Sequence, residues 1–343
     1  MMTLGERLKM ARALSGLSLR EVAAKAQVSP MAISKYERDL DVPSSTVLLR
    51  LAHALGVKLE YLFRSKSVKL TPHLVHYRRG SRCGVKARKR VEAEVVECME
   101  RYLEVEGLFG ALKPFVLPKI DREVRRPEDS ERVARELRLS WELGYDPIEN
   151  LVAVLEDRGV RVCLVEGCDG FDGLCAWVRP NIPVIAVKRG IPGDRQRFNL
   201  AHELAHLLLH LAPDVDQEAA AHRFAGAFLA PEPAVRAELG EHRRDLDDRE
   251  LYLLKREYGL SMQAWVRRAK DLGIIEEATY RRICQRFSQL RWRQQEPGEP
   301  IPTEEPQRMK QLIFHALAED MISRSRAQEL LGEELPEVVP QLA

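Results

Sequence analysis

Residues 202–206 read His-Glu-Leu-Ala-His within the run RQRFNLAHELAHLLLHL. Two histidines four residues apart stand one above the other on a helix, so both imidazoles can reach one zinc ion. Glu203 is rotated toward the side where an attacking water would sit, which is the general-base position of a metal-assisted hydrolase. Twelve residues after His206, Glu218 opens a second helical run, QEAAAHRFAGAFLAPEP. A catalytic zinc takes three protein ligands and keeps one position open, and His, His, Glu is a recurring set. The intervening LLLHLAPDVD allows the turn that folds Glu218 back to His202 and His206. Histidines satisfied inside an Ala- and Leu-rich core helix, with Glu218 in a salt bridge, are the plain alternative. His222, one turn past Glu218, and His210, one turn past His206, could orient a ligand. His222 could also donate toward a developing oxyanion.

These residues need elements to hold them. Upstream, VRRPEDSERVARELRLSWELG and PIENLVAVLEDRG read as helices, the second stopped by Gly159, and VRVCLVE, GFDGLCAWV and IPVIAVKR read as strands. Helix, strands, helix implies an α+β domain with a small antiparallel sheet. Downstream, DRELYLLKREYGL, a helix capped by Ser261 and EEATYRRICQRFSQLRW form three amphipathic helices. An acidic, Pro-rich loop and two final helices follow, the last capped by Ser323.

The first 64 residues have a different organisation. Leu4, Leu8, Ala11 and Leu14 recur at helical spacing and stop at Gly16; Ser18 with Glu21 forms a capping box, and Ser29 caps a helix that has Pro30 at its first position. With SSTVLLRLAHALGV and LEYLF, this predicts a five-helix bundle whose second and third helices have helix-turn-helix spacing. Its third helix would enter the major groove, which makes Gln27, Ser29, Met31, Ala32, Ser34, Lys35 and Arg38 the candidate DNA contacts, Lys35 and Arg38 toward phosphate. The formal net charge of +2 hides a strong asymmetry: residues 1–90 carry +13 and the remainder −11. Residues 65–90 hold nine Lys and Arg and no acid, a composition suited to a polyanion or to a solvated linker. The six cysteines are dispersed without a CxxC pair, so a zinc ribbon is excluded and reduced thiols are expected. No apolar run is long enough for a membrane helix and the N-terminus lacks a signal-like segment, which predicts a cytoplasmic protein with no membrane partner.

The stretches LKMARALSGLSLREVAAKAQVSPMAISKYERD and PSSTVLLRLAHALGVKLEYLF resemble the Cro and phage-repressor (XRE) helix-turn-helix family. That resemblance implies a DNA-binding domain working as a homodimer on a palindromic double-stranded operator. From about residue 130 to 332, RQRFNLAHELAHLLLH, EAAAHRFAGAFLAP, FDG and LKREYGLSMQAWVRRAKDLGII resemble the ImmA/IrrE family of zinc metallopeptidases. This second resemblance implies a zincin-like fold with His202, His206 and Glu218 on one zinc per chain and Glu203 as base. Ala205 stands where that family usually has Gly, and His222 where it usually has Asn.

The expected architecture is multidomain: an all-α helix-turn-helix bundle (1–65), a basic linker and connector helix (66–126), an α+β zincin-like metallopeptidase core (127–240) and a helical C-terminal region with a helix-turn-helix-like unit (241–343). The expected function is a transcriptional regulator whose peptidase cleaves a repressor-type protein or itself. A regulator with a non-proteolytic zinc sensor and an antitoxin-like binding module are the alternatives. The charge of residues 1–90 predicts that this fragment binds duplex DNA with log K falling linearly against log salt. A titration over roughly 50–300 mM salt tests it, and no binding at any point would overturn it.

Overall fold

The computed structural model describes residues 2–64, 68, 71–74, 84–110, 114–179 and 182–335. Most of the basic run at 65–90 lies outside them. Five helices form the N-terminal bundle: α1 (Leu4–Ser15), α2 (Leu19–Ala26), α3 (Pro30–Tyr36), α4 (Ser45–Leu55) and α5 (Leu59–Leu62). Capping fixes the starts of the first four, with reciprocal boxes at Thr3/Glu6 and Ser18/Glu21 and side-chain caps from Ser29 and Ser44. Leu8, Ala11, Val22, Ala26, Ile33, Leu51 and Leu62 close the bundle core.

Strand β1 (Thr71–Leu74) follows, in the segment read as linker, and then the long helix α6 (Val85–Leu108). After a two-residue strand β2 (Glu123–Val124) come α7 (Ser130–Ser140), α8 (Leu151–Asp157), β3 (Arg161–Val165), β4 (Gly173–Arg179), β5 (Ile182–Lys188) and α9 (Gly193–Leu208). β6 (His210–Leu211) leads into α10 (Gln217–Leu229), α11 (Glu232–Leu239), α12 (Asp248–Tyr258), α13 (Met262–Asp271), α14 (Glu277–Gln289), α15 (Arg308–Ala318) and α16 (Arg324–Leu331). No helix among the described residues is long and apolar enough to cross a membrane.

The sheet runs β1-β4-β5-β3 and is mixed, which corrects the antiparallel expectation. β4 and β5 form an antiparallel pair, but β5 lies between β4 and β3 and therefore runs parallel to β3, with Arg161 opposite Val184 and Val165 opposite Lys188. Side-chain alternation then divides the strands between two cores. Val162, Cys175, Ile185 and Val187 join the core that includes α9. Cys163, Val165, Leu174, Ala176, Val184 and Ala186 pack with Val91, Val95 and Met99 of α6. Burial on both faces explains why β5 reads as a continuous apolar strand.

Cys98 of α6 and Cys163 of β3 form a disulfide, and Cys168 is disulfide-bonded as well. This corrects the expectation of reduced thiols; among the described residues Cys175 and Cys284 are free. The pairing is non-local and leaves no signature in cysteine spacing.

The acidic, Pro-rich segment after α14 is a strap. Glu296 accepts from Met262 N and Gln263 N at the start of α13 and from Lys255 Nζ at 2.8 Å. Glu304 accepts from Val152 N at the start of α8 and from Arg197, and Gly193 N donates to Ile301 O at 2.8 Å. Glu156 of α8 reciprocates by capping Gln307 N and Arg308 N.

Arg138 of α7, fully buried, donates to four carbonyls: Nε to Gly144, Nη1 to Phe228 and Nη2 to Leu143 and Asp146, at 2.6–3.3 Å. It ties the last turn of α10 to α7 and to the loop before α8. Burial without a carboxylate at hydrogen-bond distance pulls the guanidinium down to about 10. Arg138→Leu would strand several buried carbonyls at roughly 1–3 kcal/mol each. Its denaturation midpoint should fall sharply, and Arg138→Lys should not restore it, because one ammonium cannot span the fork.

Candidate metal centre

Helix α9 places His202, Glu203 and His206 on its buried side, below an N-terminal turn anchored by the strap. Helix α10 starts at an Asp216 cap whose Oδ1 accepts from Glu218 N and Ala219 N, so the Glu218 carboxylate sits at a helix N-terminus, where negative charge is favoured. Small residues are buried on both helices: Ala201 and Ala205 on α9, Ala221 and Ala225 on α10, all fully enclosed. Glu131 of α7 bridges Arg223 of α10 and Arg268 of α13, and Arg223 also reaches Asp271 at 3.2 Å.

The three donors converge. His202 Nε2 lies 3.1 Å from His206 Nε2 and 3.5 Å from Glu218 Oε2, and His206 Nε2 lies 3.7 Å from Glu218 Oε1. Ligands at zinc distances on a tetrahedron stand about 3.4 Å apart, so this triangle matches one face of such a site. Two imidazole nitrogens so close, facing a carboxylate, call for a proton or a cation between them. The chemistry of the donor set fits zinc.

Glu203 is buried beside β4. A Cβ on Gly173 would lie 3.0 Å from Glu203 Cγ and 3.1 Å from its Oε1, so the carboxylate occupies space that any other residue at 173 would claim. Burial pushes its pKa up to about 8, against the hydrogen bond from Cys175 and with added repulsion from Glu218 and Asp172. The Cys175 thiol is raised by burial and by the same carboxylate. Asp172 pairs with Arg195, and its carbonyl accepts from Asn199 Nδ2, which joins the FDG turn to α9. Gly173 and Cys175 were not among the sequence candidates; the only signal was the FDG triplet, to which no role was attached.

His222 joins the cluster. Its Nδ1 lies 2.7 Å from the Glu218 carbonyl, which can only accept, so Nδ1 carries the proton; its ring stands edge-to-face with His202, 4.6 Å between centroids. His210 does not. The chain leaves the helix at Leu209, and His210 is exposed on β6, paired in register with Glu123.

In the N-terminal bundle, Met31, Lys35 and Arg38 are exposed, while Ala32 and Ser34 are half-buried. Ser29 Oγ is committed to capping Ala32 N at 3.1 Å. Gln27 ends α2 in the left-handed region with φ 55° and accepts from Arg50 Nη1 at 3.0 Å, and Arg38 Nε donates to Ser34 O.

Residues 8–62 match the helix-turn-helix family and residues 156–270 match the IrrE N-terminal-like domain of the M78 peptidases. The chain joins an XRE-type helix-turn-helix domain to an IrrE-like domain. Over 67 residues it is 37% identical to the HTH-type transcriptional regulator ImmR of Bacillus subtilis (strain 168), a match covering 20% of this chain and 53% of that protein. The chain thus spans about half the length of this curated relative. The IrrE-like match contains α9, α10 and the whole donor triangle.

Gly173→Val should crowd Glu203 and cost about 1–3 kcal/mol by overpacking. Gly173→Val combined with Glu203→Ala should recover most of that loss. Thermal denaturation of both proteins checks it, and an equal loss in the double variant would refute the contact.

Proposed function

We propose that the chain is a DNA-bound transcriptional regulator whose zinc peptidase cleaves a repressor-type protein, or itself, in response to a signal. The donor triangle of His202, His206 and Glu218 beside a buried Glu203 carries this reading. Zinc, one per chain, supplies Lewis acidity toward a scissile carbonyl when bound. His202, His206 and Glu218 would hold it. Glu203 takes a proton from the attacking water and returns it to the leaving amine; its enclosed position keeps that proton from bulk solvent. His222, held through Nδ1 by the Glu218 carbonyl, would offer Nε2 toward a developing oxyanion.

The DNA-binding half rests on the helix-turn-helix match and on the exposed Met31, Lys35 and Arg38, with Gln27, Ser29, Ala32 and Ser34 completing the candidate face. Homodimeric binding to a two-fold operator follows from that domain type. We take 1–65, 66–126, 127–240 and 241–343 as the working segments. His222 in place of the usual Asn favours a second reading, in which the zinc domain senses a ligand without proteolysis.

Glu203→Gln separates the two. The variant should keep zinc and DNA binding but lose about 10²- to 10⁴-fold in cleavage of a co-encoded repressor, whereas His206→Ala should lose the metal. Elemental analysis, a blot for full-length partner and a transcription reporter provide the readouts. Normal induction by Glu203→Gln without any cleavage product would overturn the peptidase assignment in favour of the sensor.

A further inference from the structure

The Cys98–Cys163 disulfide links α6 to the sheet across 65 residues of sequence. The apolar packing of Val91, Val95 and Met99 on that sheet face is already extensive, and a chain of this size does not need a staple to hold a core. Its position is informative. Glu97 and Glu100, either side of Cys98, are the ionic anchors of the helix-turn-helix domain: Arg7, fully buried, pairs with Glu100 at 2.6 Å, and Arg64 pairs with Glu97 at 3.2 Å and with Glu329 of α16. One turn of α6 therefore carries both the cross-link to the IrrE-like sheet and the attachment of the DNA-binding bundle.

Both cysteines line a cavity of about 340 Å³. Its walls come from segments far apart in sequence: Leu14 of α1, Arg101 and Tyr102 of α6, Leu164 of β3 and Met309 of α15. Cys98 is half-buried and Cys163 is buried, so an incoming nucleophile meets the Cys98 sulfur first. Neither Cys175 nor Cys284 borders this space.

We propose that Cys98–Cys163 is a thiol–disulfide exchange site for a low-molecular-weight thiol entering this cavity, and that its redox state sets how firmly the IrrE-like sheet holds the helix carrying the helix-turn-helix domain. A thiolate attacks Sγ of Cys98, the Cys98–Cys163 bond breaks, and Cys163 leaves as a thiolate that takes up a proton. A second thiol attacks the external sulfur of the mixed disulfide and releases Cys98 as a thiol. Two small thiols are oxidised to their disulfide, and the protein pair gains two electrons and two protons; the reverse sequence closes the bond. Arg101, Arg189 and Lys310 line the cavity among five carboxylates, so its walls carry both signs of charge and net attraction does not select the thiol. This exchange is independent of whether the peptidase site cuts peptides.

The test uses the full-length protein equilibrated in glutathione buffers of graded ratio, alkylated and analysed by mass spectrometry. The Cys98 and Cys163 peptides should shift together between disulfide and alkylated forms, with the disulfide at Cys168 followed separately. Amide exchange over 85–108 should rise at least tenfold on reduction while that over 193–229 stays unchanged, and Cys98→Ser should show the faster exchange even in oxidising buffer. Glutathione should reduce the pair at least tenfold faster than a thiol coupled to a large polymer, a comparison that needs no variant to fold. Full alkylation of both cysteines under oxidising conditions, equal rates for the small and polymer-coupled thiols, reduction only by a protein dithiol, or unchanged exchange over 85–108 would each overturn the proposal.

Discussion

A single helix can present two imidazoles to one point, but it cannot present a third ligand opposite them. The centre therefore depends on α10 lying close against α9, and the sequence secures this at several places. Buried alanines at 201, 205, 221 and 225 keep the enclosed sides of both helices small. Asp216 starts α10 at the residue that lets Glu218 point back. Arg138 grips the far end through Phe228 O, and Glu131 takes Arg223 from the middle. The ends and middle of α10 are thus fixed by charged groups whose alternative is an unpaired buried donor or acceptor, which makes the register of Glu218 hard to slip.

Glu203 meets the opposite demand. It lies near the donors without joining them, and the absent side chain of Gly173 provides the space. Enclosure disfavours its charge, and the neighbouring carboxylates of Glu218 and Asp172 add to that penalty. A cation held by the three donors would act in the other direction, so the proton affinity of Glu203 and the occupancy of the centre are linked.

Features written in short stretches of sequence were readable. The Ser18/Glu21 box, the Ser29, Ser261 and Ser323 caps and the periodicity of α9 and α10 each depend on neighbours within a turn or two, and they place the helices and the His-x-x-x-His pair. The fold-back of Glu218 was legible because the metal set demands a third ligand. What could not be read is what distant segments do to one another. β1 sits in a basic stretch without an apolar pattern and exists because β4 offers a free edge. The parallel pairing of β3 and β5 is a matter of strand order, which alternation does not encode. His210 looked like another turn of helix, yet the chain is diverted at Leu209 to pair with β2. Gly173 and Cys175 acquire meaning only when β4 is laid against α9.

The strap from Glu296 to Glu304 has one more implication. By composition it is an ordinary interdomain spacer, acidic and rich in proline, and the IrrE-like match ends at residue 270, well before it. In the folded chain its carboxylates terminate α8 and α13, and Ile301 receives the first amide of α9. The catalytic-looking unit is therefore not contiguous in sequence: a fragment cut at the end of the recognisable domain would lack the groups that finish three of its own helices. Excision, domain grafting or a nonsense codon before residue 304 would reach the candidate metal site from behind, through the end of α9 that lies farthest from the histidines.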